Sequence, residues 1–342
     1  VSAYLDKRRE CALMESYPIR TDLALESQER LKKDKGNVRG IRFLEEKKKN
    51  GIVVSTVVID TENAAKSMGR PKGTYVTIEA PEMIEEDVGY HRDISMELAQ
   101  ILRNMLPKSK FPKTSENMET GIDVSVLVVG LGNREVTPDA LGPKVIDNMF
   151  ITRHIMKEFG RYAFSDENVS RISGIVPGVM AQTGMECVEI LKGIVKETQP
   201  ELIITVDALA ARNVKRLGRT IQLTDTGITP GSGIGNHRNA LNEQSLGLPV
   251  ISLGVPTVVN AATIVADAMS ELIEAEASSC QDLEKLDEQQ RQELAHGLLS
   301  PKLNELFVTP KNIDESIKQL SFLLSEGLNI ALLGNKEENA GI

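Results

Sequence analysis

Val124-Ser-Val-Leu-Val-Val-Gly-Leu-Gly-Asn-Arg-Glu-Val-Thr-Pro-Asp-Ala-Leu-Gly142 is a short β-branched apolar run that breaks into a glycine turn and then into helix-starting residues. Unbroken runs of this kind are strands buried on both faces of a parallel sheet. The pattern recurs at Glu201-Leu-Ile-Ile-Thr-Val-Asp207, which an acid closes before Ala-Leu-Ala-Ala-Arg212. Strands are expected at 124–129, 171–176, 201–206, 219–223 and 249–253, with helices at 138–153, 179–197 and 258–274. That alternation predicts βαβ units and an α/β fold with helices on both faces of the sheet. Open α/β sheets bind ligands beyond the carboxyl ends of their strands, and Asp139 and Asp207 both fall there. Two carboxylates sharing one crevice form an acid/base device.

On the N-terminal side, residues 1–35 are polar and charged, with helical stretches and no strand. Ile52–Asp60 and Thr74–Glu79 read as strands joined by a loop containing Gly69, Pro71 and Gly73. Ile94, Leu98, Ile101, Leu102 and Met105 recur at helical spacing, which predicts a helix over 91–106. Glu45-Glu-Lys-Lys-Lys49 reads as a solvated helix end, and Pro107–Gly121 as a surface loop. On the C-terminal side the strand–helix alternation stops at a polar insertion around 276–310. A helix over 311–327 and the apolar run 328–333 are then expected to pack back onto the sheet.

A net charge of −9 argues against a phosphate-binding surface, so no nucleic-acid partner is expected. No apolar run approaches ~20 residues, which excludes a helical membrane span. The first ten residues lack the apolar core of a signal peptide, and secretion is not expected. Cys11, Cys187 and Cys280 are odd in number and far apart, as in a reducing cytoplasm, and give neither zinc-site nor disulfide spacing.

The Gly-Leu-Gly-Asn turn invites a dinucleotide reading, but Glu135 stands where the third glycine of the fingerprint belongs. No nicotinamide or flavin is expected, and with no ligand cluster no metal either. Thr137 is placed as an N-cap, Pro138 at the first helical position and Asp139 in the first turn, where the helix dipole favours an ionised carboxylate. Asp60 and Asp225 also end strand-like runs, so position alone does not choose among the acids. Residues 224–238 are the most glycine-dense stretch but lack the P-loop pattern. This stretch suits backbone approach to a substrate, and His237 and Arg238, with Asn133 and Arg134, are candidate substrate contacts.

Together these segments resemble the germination protease (spore protease) family of endospore-forming bacteria. The matching pieces are GLGNREVTPDALG (130–142), GIVPGVMAQTGMECVEI (174–190), ITVDALAAR (204–212), DTGITPGSGIGN (225–236), GVPTVVNAATI (254–264) and Tyr17-Pro-Ile-Arg-Thr-Asp-Leu-Ala-Leu-Glu26. The resemblance covers nearly the whole chain. It implies a three-layer α/β/α fold of phosphorylase/hydrolase type, with a twisted, mostly parallel sheet plus insertions, like that of hydrogenase maturation proteases. It implies an atypical aspartic endopeptidase with catalytic Asp139 and Asp207, acting on small acid-soluble spore proteins during germination. A homotetramer in the spore core, made as a zymogen, is implied as well. Thr21–Glu26 resembles the sequence this family cuts in its substrates. Self-cleavage at Asp22–Leu23 would therefore remove a propeptide, residues 1–22, and leave a single domain over 23–342. Two other readings share the same residues: a metal-dependent maturation-type endopeptidase with the acids as ligands, and a non-enzymatic protein that binds a peptide in the crevice.

Overall fold

The structure, a computed structural model, describes residues 21–35, 38–85, 88–107, 122–164, 169–232, 238–265, 268 and 306–334. Its centre is one sheet of nine strands: β1 (Ile41–Lys47), β2 (Val53–Ile59), β3 (Gly73–Glu79), β4 (Ser125–Gly130), β5 (Arg171–Ile175), β6 (Leu202–Ala211), β7 (Thr220–Thr224), β8 (Val250–Asn260) and β9 (Phe307–Val308). The strands run in the order β1-β2-β3-β7-β8-β6-β4-β5, with β9 added to β8. The half that carries the sequence motifs, β8-β6-β4-β5, is parallel. The other half is antiparallel and joins it through β7. The class is α/β, as expected.

Alternation along β6 and β8 sends two apolar sets to opposite faces. Val126, Val128, Leu202, Ile204, Val206, Leu253 and Val255 face one way, under the helices Val88–Met105, Leu141–Asn148 and Ile313–Leu333. Leu127, Val129, Ile203 and Val250 face the other way, under the helix Cys187–Thr198 and the short helix Glu243–Leu246. On this second face the antiparallel half is covered by Ala24–Lys35 and Glu62–Met68. A separate apolar group, Leu23, Leu209, Ala211, Leu217 and Val259, lies at the far end of β6.

Several elements depart from the sequence reading. Glu45–Lys47 belong to β1, an exposed edge strand, and Lys49–Gly51 form a turn, so no helix ends there. Charged residues suit such an edge because they discourage pairing with another chain. A helix, Glu62–Met68, capped by Thr61, stands in the expected loop between β2 and β3. The helix expected over 138–153 is two, Leu141–Asn148 and Arg153–Phe159, because Met149 turns extended. The one over 179–197 breaks at Gly184, whose φ is 71°, into Met180–Thr183 and Cys187–Thr198. The last helix runs unbroken through 328–333, and its apolar residues share the core with the sheet and with the helices Val88–Met105 and Leu141–Asn148. Two strands overrun their expected ends: β6 continues past Asp207 to Ala211, and β8 past Leu253 to Asn260. Residues 1–20 of the expected propeptide and 276–305 of the expected insertion lie outside the described residues. Among the described residues no helix is long and apolar enough to cross a membrane.

Candidate active site

The overrun of β6 creates the site. β4 ends at Gly130, opposite Val206, while β6 continues for five more residues. Among the described residues no strand lies against the edge of β6 that faced β4 beyond Val206. Asp207 is therefore not at the end of its own strand but at the point where its neighbour stops. By alternation its side chain shares a face with Ile203 and Leu209, between the cover given by Cys187–Thr198 and that given by Leu23.

The loop after β4 brings Asp139 to this point. Leu131 N–H donates to the Val206 carbonyl at 2.8 Å, locking the turn against β6. Gly132 has φ 115°, and a Cβ there would run into the Asp139 carbonyl oxygen. A Cβ at Gly142 would meet the carbonyls of Leu131 and Val206. Both positions need glycine for close backbone approach. Asp139 itself closes a 3-10 turn, Thr137–Asp139, and the α-helix begins only at Leu141. Thr137 is thus no N-cap, and three residues supply no helix dipole. The Asp139 carboxylate is held instead by Asn133 N–H, which donates to Oδ2 at 2.8 Å.

Asp207 is 5% exposed, and its Oδ1 accepts from Ala208 N–H at 2.9 Å. Burial pushes its carboxyl well above the usual range, and the nearby charges of Asp139 and then Asp22 push the same way. Burial also raises Asp139, against the Asn133 N–H and the charge of Arg238. The two carboxyls thus sit within electrostatic reach of one another, with Arg238 near both. Arg238 acts on Cys187 as well, at the start of the covering helix.

The remaining candidates divide. Asn133 serves Asp139 through its backbone, while its side-chain Oδ1 accepts from Gln182 Nε2 and Glu135 N–H. Arg134 makes a two-pronged pair with Asp147 on the surface, at 2.6 and 2.8 Å, and does not join the acids. His237 lies outside the described residues. Asp60 pairs with exposed Arg42, and Asp225 accepts from Thr74 N–H, so both have surface roles. Among the described residues no group of three His, Cys, Asp or Glu residues is arranged to hold a metal.

The open edge of β6 is occupied by the chain's own residues 21–26. Asp22 N–H donates to the Ala210 carbonyl, and Ala210 N–H to Asp22 Oδ2, both at 2.9 Å. Further on, Arg212 N–H and Asn213 N–H donate to the two oxygens of Glu26, at 2.8 and 2.9 Å. Ser232 Oγ donates to Asp22 Oδ1 at 2.8 Å. Leu23, fully buried, fills the apolar group around Leu209. The segment is held by one backbone bond and by two carboxylates that take the N–H groups at the end of β6, as the chain turns into the helix Ala24–Lys35.

A family model for germination proteases matches residues 19–284. The chain belongs to the germination protease family. Germination protease of Caldanaerobacter subterraneus subsp. tengcongensis is 44% identical, over 94% of this chain and 97% of that one. The Clostridium perfringens germination protease is 41% identical over 93% and 96%, and that of Bacillus velezensis 38% over 92% and 93%. Among solved structures, a NiFe hydrogenase maturation protease from Thermococcus kodakarensis has 19% identity and a TM-score of 0.25. It covers 39% of this chain and 74% of its own, a likeness too slight to bear on the fold. As a germination protease the chain is a protease with a protein substrate.

Sequence reading singled out the two acids, which the structure brings near one another, and the segment 21–26, but not the side chains that hold that segment. Ser232 lay inside the glycine-dense stretch without distinction. Gln222 carried one signal, a lone amide in the buried strand Thr220-Ile-Gln-Leu-Thr224.

Proposed function

We propose that the protein is an aspartate-dependent endopeptidase that degrades small acid-soluble spore proteins in the spore core at germination. It is made as a homotetrameric zymogen that cuts its own chain at Asp22–Leu23. The observation that carries this reading is that the turn after β4 brings Asp139 within electrostatic reach of buried Asp207 where β4 stops, beside an edge of β6 that holds the chain's residues 21–26. A buried acid with a like charge beside it is costly to structure and is characteristic of catalytic sites.

Asp139 is the base: it has the N–H of Asn133 to hold its negative charge. Asp207, more deeply buried, keeps its proton and is the acid. Asp139 takes a proton from water as the water oxygen bonds to the peptide carbonyl carbon. Asp207 gives its proton to the carbonyl oxygen. Collapse of the tetrahedral intermediate breaks the C–N bond, Asp139 returns its proton to the leaving nitrogen, and Asp207 recovers its own from the intermediate's hydroxyl. Because the two groups are coupled, the pair titrates as a unit.

The test is to express the full chain with Asp139→Asn or Asp207→Asn and follow self-cleavage by intact mass and N-terminal sequencing. Both variants fold and stay uncut, whereas the parent chain acquires an N-terminus of Leu-Ala-Leu-Glu. Loss of either proton-transfer role lowers the rate ~10²–10⁴-fold. Retention of more than roughly a tenth of the rate in either variant removes that aspartate from the mechanism, and a different new terminus removes the proposed bond.

A further inference from the structure

We propose that Gln222 is a third catalytic residue, the side chain that holds and polarises the carbonyl of the bond being cut. This rests on the reading above, in which Asp22–Leu23 is a substrate of the site. Gln222 Nε2 donates to the carbonyl oxygen of Asp22 at 2.8 Å, and Gln222 Oε1 accepts from Ala24 N–H at 2.6 Å. One amide thus grips the chain on both sides of the Asp22–Leu23 peptide. Gln222 is 7% exposed and stands in the otherwise Thr- and aliphatic-lined β7, where an amide is expensive to bury unless both ends are bonded.

The sheet register explains why this residue can work with the acids. Asp207 of β6 is level with Gly254 of β8, and Gly254 is level with Gln222 of β7. The three form a row across adjacent strands, acid, glycine, amide. Adjacent strands lie ~4.8 Å apart, so the outer two are separated by roughly 10 Å at the backbone. Gly254 must be glycine here because Leu209 lies over it: a Cβ would come within 2.6 Å of Leu209 Cγ and 2.8 Å of the Asp207 carbonyl oxygen. Asp207 and Gln222 thus flank Gly254 on one face of the sheet, with Leu209 packed over the glycine.

A carbonyl oxygen has two lone-pair directions, so it accepts from Gln222 and from protonated Asp207 together. As water adds, negative charge gathers on that oxygen. A fixed amide donor aimed at it is already oriented and needs no reorganisation, which is how oxyanion donors accelerate acyl transfer. Gln222 transfers no proton. It orients the ground state and stabilises the charge that Asp207 then neutralises.

The experiment uses the self-processed protein and a peptide of this chain's residues 17–30, with steady-state rates from pH 5 to 8. Gln222→Glu keeps the size and the acceptor for Ala24 N–H but loses the donor while ionised. At neutral pH its kcat is expected to fall ~10²–10³-fold, the usual cost of one oxyanion donor, with KM changed only a few-fold. As pH falls the carboxyl gains a proton and becomes a donor again, so the ratio to wild type recovers. A structural role would lower folding yield or raise KM and give no such recovery. Gln222→Met, close in size and without a donor, shows the loss at every pH and covers the case in which Gln222→Glu does not fold. A kcat within about five-fold of wild type in either folded variant overturns the role of Gln222. Uncut peptide with the wild-type protein overturns the underlying protease reading instead, so the two failures are told apart.

Discussion

Replacing Asp207 by Asn should abolish cleavage and, at neutral pH, leave the protein more stable. The carboxyl is 5% exposed, its single backbone donor is Ala208 N–H, and Asp139 and Asp22 add like charge. Its proton is therefore held to higher pH in the folded chain than in the unfolded one. Stability from this group is fully present below the unfolded value and is lost as pH rises through the folded value. Each unit separating the two values costs the folded state about 1.4 kcal/mol above that window. Asn carries no proton to lose, fits the same space and keeps an acceptor for Ala208. The variant and wild type should match near pH 4, and the variant should gain steadily toward neutrality. Each kcal/mol raises Tm by roughly 2 °C in a chain of this size. Thermal unfolding of both proteins at half-unit steps from pH 4 to 8 measures the difference. A variant that is less stable at pH 7, or a gap that does not widen with pH, refutes the account of Asp207 as a buried acid strained by its neighbours.

Asp60→Asn and Asp225→Asn should keep cleavage within about two-fold, because their carboxylates meet Arg42 and Thr74 at the surface, where such contacts contribute under ~1 kcal/mol. Gly132→Ala should lower cleavage of the peptide more than ten-fold, since its Cβ displaces Asp139 and φ 115° is strained for alanine; kinetics beside a normal circular dichroism spectrum check this. Glu26→Gln should slow self-cleavage by about ten-fold or more, because a charged acceptor of two backbone N–H groups is replaced by a neutral one. Timed intact-mass measurement of the full chain reads it directly.

β4 and β6 were legible because each opens on a continuous apolar run rich in β-branched residues, and Val88–Met105 because its apolar residues keep helical spacing. The ends of β6 and β8 were not. Ala208-Leu-Ala-Ala211 has weak strand preference, and Pro256 reads as a breaker, yet the two segments pair through Ala211 and Val259 across an irregularity at Leu209. Pairing and burial decided their conformation, as happens when strand preference is weak. Asp139 was singled out for the wrong local reason: its carboxylate is held by a backbone amide six residues back, not by a helix. The grip on Asp22 joins residues 200 apart in sequence, and no local pattern announces it. What sequence offered was only that an amide stands in a buried strand.

The same interruption of the sheet accounts for the site and for its occupant. An open strand edge is ordinarily a hazard, because unpaired N–H and C=O groups recruit other chains. Here the N–H groups that β4 leaves unpaired each meet a carboxylate: Ala208 meets Asp207, Ala210 meets Asp22, and Arg212 with Asn213 meets Glu26. Two of those three carboxylates belong to the segment lying on the edge. A segment with acids at other spacings would leave buried N–H groups unsatisfied, at a cost of about 1–3 kcal/mol each. Backbone geometry alone thus favours an acid at the position of Asp22 and another four residues on. The apolar group around Leu209 adds a demand for a large aliphatic residue directly after the first acid. Main-chain donors are not lost when a side chain changes, so the spacing of β6 past Gly130 fixes where acids must stand in a segment held on this edge.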